Sequence, residues 1–312
     1  MEKKTVFEIK ALYRDDFRIT GFLFGHGKKS ACIVGSMRGN ENQQLYCCAE
    51  LIRKLKVLEE KGCIRKNREI LVVPCVNPYS MNIKKRFWSI DNTDINRMFP
   101  GYSEGETTQR IAGGLFEEIK DYTYGIQFAS FYMPGKFTPH IRIMRTGFED
   151  VELARRFGFP YVVLHTPRPF DTTTLNYNWQ IWETKAFSIY TTTTEMIDRA
   201  SARQAVEAVL SFLQKQDIID YRGFEGYVSK VVSTDKMVTV RNRTAGFFEE
   251  KVRPGEYVHE GQSLACIVDC FEGNVVENVC APKDGTILFA HMEPKVYENT
   301  AVYKIIPEEE RW

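Results

Sequence analysis

Apolar and polar residues alternate over Thr5–Leu12 and again over Phe17–Gly25, which predicts a strand pair joined by a turn at Arg14-Asp15-Asp16. Ala31–Gly35 is a short apolar run and reads as a buried strand. From Asn42 to Glu60 the period changes. Leu45, Ala49, Leu51, Ile52, Leu55 and Leu58 recur at helical spacing, and Gly62 closes the helix. Glu69–Val76 is a second apolar strand, so strand, helix and strand predict a right-handed crossover in a parallel sheet. Helices over Thr107–Tyr122, Val151–Phe157 and Ala200–Lys215 then alternate with strands over Tyr124–Phe131, Tyr161–His165 and Ala186–Thr191. Such alternation predicts an α/β sheet with ligands at the carboxyl ends of its strands.

Two regions depart from this rhythm. Asn77–Tyr102 is long and irregular, and a segment of that length in a compact domain is usually functional or disordered. Its Phe87, Trp88 and Phe99 argue that it is ordered. Beyond Asp220 the helical period ends and two stretches repeat each other. One runs from Gly246-Phe247-Phe248 through Val252-Arg253-Pro254-Gly255 and Val258 to Ile267. The other runs from Gly285-Thr286-Ile287 through Pro294 and Val296 to Ile305. Each reads strand, turn, short strand, turn, strand, which predicts a small all-β sandwich over about 223–307. The expected domains are therefore 1–222 and 223–312.

Composition narrows the class. The chain has 312 residues, 43% apolar and 27% charged, which suits one large globular domain plus a small one. A formal net charge of +1 gives no electrostatic case for nucleic acid or a membrane surface. No apolar run approaches the roughly 20 residues a bilayer span needs. Met1-Glu2-Lys3-Lys4 is not an apolar leader, so a cytoplasmic location is expected. The eight cysteines form no CxxC pair and are expected to be reduced core residues.

The candidate chemistry lies in the irregular segment. Asn77-Pro78, Arg86, Asp94-Ile95-Asn96-Arg97 and Phe99-Pro100-Gly101 resemble the zinc carboxypeptidase-like deacylases, nearest to the succinylglutamate desuccinylase/aspartoacylase family. Met133-Pro134, Pro139-His140-Ile141-Arg142 and Gly226-Tyr227-Val228 extend the resemblance over nearly the whole chain. It implies a zinc-carboxypeptidase-like mixed sheet flanked by helices, followed by a barrel-sandwich module. That module also resembles lipoyl and biotinyl carriers, but it lacks a lysine at the hairpin position a carrier needs. In the family, zinc is held by a His and a Glu of one motif and a His after a later strand, and a glutamate acts as base. Zinc so held lowers the pKa of its water, a carboxylate takes the proton, and an arginine fork clamps the substrate carboxylate.

This chain departs from that pattern at three positions. Arg38 stands where the first His would be, and its guanidinium stays protonated. Glu41 matches. Gln127 stands at the second His, and Tyr190, in Ser188-Ile189-Tyr190-Thr191, at the base. Glu195 is the nearest substitute acid. The expected ligand-binding set is Arg38, Glu41, Arg86, Asn96, Arg97, Gln127 and Tyr190. Structural roles are the competing reading: Arg38 with Glu41 as a helix-start ion pair, Arg97 as a loop tether, Asn96 as a turn former. His140 and His165 with Glu41 form the alternative zinc set, whereas His26, His259 and His291 read as surface or β-module positions. Asp171–Thr174 is expected at the pocket mouth. The expected function is a non-catalytic or metal-poor family member without a cofactor, binding a small carboxylate through Arg97 and Arg38. The alternative is a zinc-dependent deacylase acting on an amide or ester of a carboxylate-bearing substrate. A homo-oligomer is left open, and so is the identity of the ligand.

Overall fold

The computed structural model describes residues 1–12 and 15–308, so Arg14 of the expected first turn lies outside the described residues. The chain forms two compact units, one of Met1–Ser130 with Pro139–Val231, the other of Phe131–Thr138 with the residues from Val232 on.

In the first unit, β1 (Glu2–Ile9) and β2 (Phe17–His26) pair antiparallel. Next come β3 (Lys28–Ser36), α1 (Asn42–Glu60) and β4 (Arg68–Cys75), with β3 and β4 parallel as the strand-helix-strand pattern requires. The irregular segment holds a short helix α2 (Pro78–Asn82) and a 3-10 turn at Ile95–Arg97. After it come α3 (Thr107–Ile119) and β5 (Tyr124–Ala129). β6 (Gly135–Phe137) belongs to the second unit. The first unit resumes with β7 (His140–Met144), α4 (Val151–Arg155), β8 (Tyr161–His165), α5 (Leu175–Ile181), β9 (Lys185–Tyr190) and α6 (Arg199–Lys215). β10 (Lys230–Ser233) carries the chain from one unit into the next. The nine-stranded sheet has the order β1-β2-β4-β3-β5-β9-β7-β8-β10. β3, β5 and β9 run parallel side by side, and their carboxyl ends at Ser36, Ala129 and Tyr190 form one rim.

Strand alternation builds a core on each face of the sheet. Ile33, Ile126, Phe128, Phe187 and Ile189 pack against Leu51 and Leu55 of α1 and Val206 and Val209 of α6. Cys32 and Val34 pack the other way, against Ile111 and Leu115 of α3 and Trp179 of α5. Each such buried leucine or isoleucine contributes about 1.5–3 kcal/mol. Among the described residues no helix is long and apolar enough to cross a membrane.

The second unit repeats itself. Besides β6 it holds β11 (Val238–Arg241). One half is β12 (Gly246–Glu250), β13 (Tyr257–Val258) and β14 (Ser263–Val268), and the other, after β15 (Val275–Cys280), is β16 (Gly285–His291), β17 (Lys295–Val296) and β18 (Ala301–Pro307). The short strand of each half pairs with the first strand of the other, β17 on β12 and β13 on β16. The leading glycines meet the same surroundings. A Cβ on Gly246 would strike the Val268 carbonyl and Ile267, and one on Gly285 the Ile306 carbonyl and Ile305. β6 pairs with β16 through Phe137↔Phe289. The second unit thus takes in residues 131–138 together with the residues from Val232 on. No local period marks β6, because its partner is far along the chain.

Of the eight cysteines, all free, Cys32, Cys47, Cys48 and Cys266 are buried as expected. Cys63 and Cys75 are half-buried, and Cys270 and Cys280 are exposed, which corrects the all-core reading.

Candidate functional site

The site grows from the carboxyl end of β3. Met37-Arg38-Gly39-Asn40-Glu41 leaves the sheet and enters α1 at Glu41, the N-cap residue. Gly39 lies hard against the segment before Trp88: a Cβ there would sit 2.3 Å from the Lys85 carbonyl oxygen and 2.4 Å from Ser80. A side chain at position 39 would force these strands of backbone apart. Glu41 does not cap its own helix. Its carboxylate turns back, and Oε2 accepts the N–H groups of Met37 at 2.7 Å and Arg38 at 3.1 Å.

Arg38 lies among acids. Its Nη1 donates to Glu41 Oε1 at 2.9 Å, and its Nη2 and Nε donate to Asp94 Oδ2 at 2.7 and 3.1 Å. Nη1 also reaches Ser130 Oγ at 3.3 Å, and the Ser130 hydroxyl donates to Glu41 Oε1. Arg38 is 6% exposed and Glu41 2%. Burial pushes the guanidinium's pKa down, but the charges of Glu41 and Asp94 outweigh it and hold the value above the ordinary one. The group is a permanent cation. Arg86, half-buried over the Phe87 ring, has its pKa lowered by burial and by the nearby charge of Arg38.

Asp94 opens the 3-10 turn that presents Asn96 and Arg97, and its Oδ1 accepts the Asn96 N–H at 3.1 Å. Asn96 Oδ1 in turn accepts the Leu175 N–H at 3.3 Å, at the start of α5. The next residue, Asn176, donates through Nδ2 to Gln127 Oε1 on β5. A hydrogen-bonded path therefore joins Arg38, Asp94, Asn96, α5 and Gln127. Tyr190 ends β9 opposite Ala129 of β5 on one side and His140 of β7 on the other. Its ring stacks on His140 at 4.9 Å, with the Arg142 guanidinium 5.2 Å from its centroid. Arg97 donates through Nη1 to the Phe170 carbonyl at 2.6 Å and to Asp171 Oδ1 at 3.4 Å. His165 meets the other oxygen of Asp171 at 3.0 Å.

Sequence reasoning placed Arg38, Glu41, Asn96, Arg97, Gln127 and Tyr190 around this rim. It did not single out Asp94, Ser130, Asn176 or Arg142. Asp94 carried a signal, since it heads the Asp94-Ile95-Asn96-Arg97 string. Of Asp171–Thr174, expected at the pocket mouth, Asp171 and Thr174 are buried and Thr172 is exposed. Glu195 does not reach the Arg38 cluster; its carboxylate accepts Asn40 Nδ2 at 2.6 Å.

The succinylglutamate desuccinylase/aspartoacylase catalytic-domain model matches residues 27–215. This chain belongs to that family. No curated protein sequence matches it. Among solved structures, a succinylglutamate desuccinylase from Silicibacter sp. TM1040 superposes with a TM-score of 0.81 at 18% identity, over 97% of this chain and 94% of that one. A succinylglutamate desuccinylase/aspartoacylase from Rhodobacter sphaeroides gives 0.76 at 18%, over 95% and 90%. The product-bound ectoine utilization protein EutE (DoeB) from Ruegeria pomeroyi gives 0.77 at 17%, over 93% and 89%. At these identities the likeness establishes the fold.

The family implies zinc, and the residues present do not fit it. A zinc site collects three lone-pair donors. Here the guanidinium, which has none, already occupies the space between Glu41 and Asp94. Gln127 Oε1 is taken by Asn176. His140 is stacked on Tyr190 and His165 is bonded to Asp171. Among the described residues, no three His, Cys, Asp or Glu side chains converge as a metal site would need.

Proposed function

We propose that this protein is a metal-independent member of its family that binds a small carboxylate-bearing molecule and does not hydrolyse it. The supporting observation is the guanidinium of Arg38 between Glu41 and Asp94. In this reading Arg38 supplies from inside the chain the positive charge that these acids need. Its nitrogens already donate within the protein, so it neutralises the site rather than contacting the ligand. Arg97 is the clamp. Its Nη1 is held by the Phe170 carbonyl and Asp171, and its Nη2 and Nε make no hydrogen bond among the described residues. Those two donors form the fork that takes a carboxylate in two parallel bonds. Arg86 balances the net negative charge of Arg38, Glu41 and Asp94. Tyr190 supplies no carboxylate base where the family has one.

Titration calorimetry with succinate, beside a hydrolysis assay on N-acyl amino acids, tests this. Saturable succinate binding without hydrolysis is expected. Turnover of an N-acyl amino acid would overturn the non-catalytic part and restore the zinc-dependent deacylase. Absence of binding by succinate and its one-carbon homologues would overturn the carboxylate part.

A further inference from the structure

The carboxylate-binding reading of Arg97 raises the question of what aims its guanidinium. Asp171 is buried, and both of its oxygens are engaged. Oδ2 accepts the Arg168 N–H at 3.0 Å and faces His165 Nε2 at 3.0 Å, while Oδ1 faces Arg97 Nη1 at 3.4 Å. Its own carbonyl accepts the N–H and the hydroxyl of Thr174, at 3.1 and 2.7 Å. The acid therefore cannot follow a moving cation and acts as a fixed post. Beside it, the Phe170 carbonyl takes the same Nη1 at 2.6 Å, and the Phe170 ring lies 5.4 Å from the guanidinium carbon. The 3-10 turn that carries Arg97 is stapled to the same segment by Asn96 with Leu175 and by Phe99 with Thr173.

We propose that Asp171, anchored by His165, is the positioning residue of the Arg97 clamp. This rests on the carboxylate-binding role of Arg97. A free arginine side chain explores many rotamers, and a ligand that must freeze them binds more weakly. Two holds on Nη1 fix the plane of the fork and turn Nη2 and Nε outward before any ligand arrives. Asp171 contacts no ligand itself. It acts through the orientation of Arg97, and its charge also shares the guanidinium with the incoming carboxylate.

Guanidinium 15N–1H spectroscopy on the full chain tests this, with the Arg97 signals assigned from Arg97→Lys. In Asp171→Asn, rotation about the Arg97 Nε–Cζ bond is expected to speed up roughly tenfold, and succinate binding to weaken by a similar factor. Thermal unfolding confirms that the variant is folded. A rotation rate equal to that of the wild type overturns the positioning role, whatever succinate does. A wild-type chain that takes no succinate overturns the binding reading instead, and the spectrum still decides the role of Asp171. Should Asp171→Asn fail to fold, His165→Gln keeps the carboxylate but removes one anchor. Faster rotation is again expected, and an unchanged rate overturns the proposal.

Discussion

Replacing Arg38 by methionine removes the cation and nearly preserves side-chain length. Glu41, at 2% exposure, and Asp94, whose side chain is 17% exposed, then lose the guanidinium that both of them bond. Breaking a buried ion pair by removing one member costs about 3–5 kcal/mol, because the remaining charge stays desolvated. Two acids are stranded here, but Asp94 is partly hydrated and Glu41 keeps two backbone N–H bonds, so the middle of that range, about 4 kcal/mol, is expected. Urea unfolding of the wild type and Arg38→Met, followed by circular dichroism, measures it. The triple variant Arg38→Met, Glu41→Gln, Asp94→Asn closes the cycle. With both acids neutral, it should recover most of the loss. A loss below about 1 kcal/mol in Arg38→Met, or no recovery in the triple variant, would refute the claim that this arginine neutralises two buried acids.

Other expectations follow from the same geometry. Arg97→Gln should abolish succinate binding while changing unfolding stability by less than about 1 kcal/mol, since the side chain is 30% exposed; a large stability loss would make Arg97 a loop tether. Gly39→Ala should cost more than about 2 kcal/mol in chemical denaturation, because the new methyl meets rigid backbone; a neutral variant would mean the two segments separate easily. Burial holds the pKa values of His165 and His291 below the ordinary histidine value, so both fold neutral, and stability should be lost as pH falls through about 6.5, their unfolded value. Asp171 adds a later loss: burial alone would raise its pKa, but His165 and the Arg168 N–H hold it low, so its stabilisation is present above about pH 4 and disappears below. Unfolding curves at pH 7.5, 5.5 and 3.5 check both, and stability that rises on acidification would contradict them. A thiol reagent should reach Cys270 and Cys280 quickly in the native chain and leave Cys47 untouched, whose thiol burial pushes up to about 12; rapid reaction of every thiol would show that the core opens.

How much of this could be read in advance differs between elements. α1 runs over Asn42–Glu60 as its apolar spacing predicts, and the internal repeat of the β module matches strand for strand. α5 was not foreseen, because its inner face is built from Asn176, Asn178 and Gln180 beside Leu175 and Trp179, and buried amides hide the apolar period. β7 was missed because polar His140 and Arg142, which meet the Tyr190 ring, interrupt its apolar run. At the site, Arg38 and Glu41 were legible because they lie three apart in a recognisable frame. Asp94 completes their cluster from 56 residues away, a pairing that only the folded chain brings about. The same holds for Ser130 with Glu41 and Asn176 with Gln127.

The proposed function requires the Arg38 guanidinium to stand in for the family's metal. Zinc content, measured on protein purified without chelator from zinc-supplemented cells, tests it most directly. A content far below one ion per chain is expected for the wild type. About one tightly held zinc per chain would contradict it.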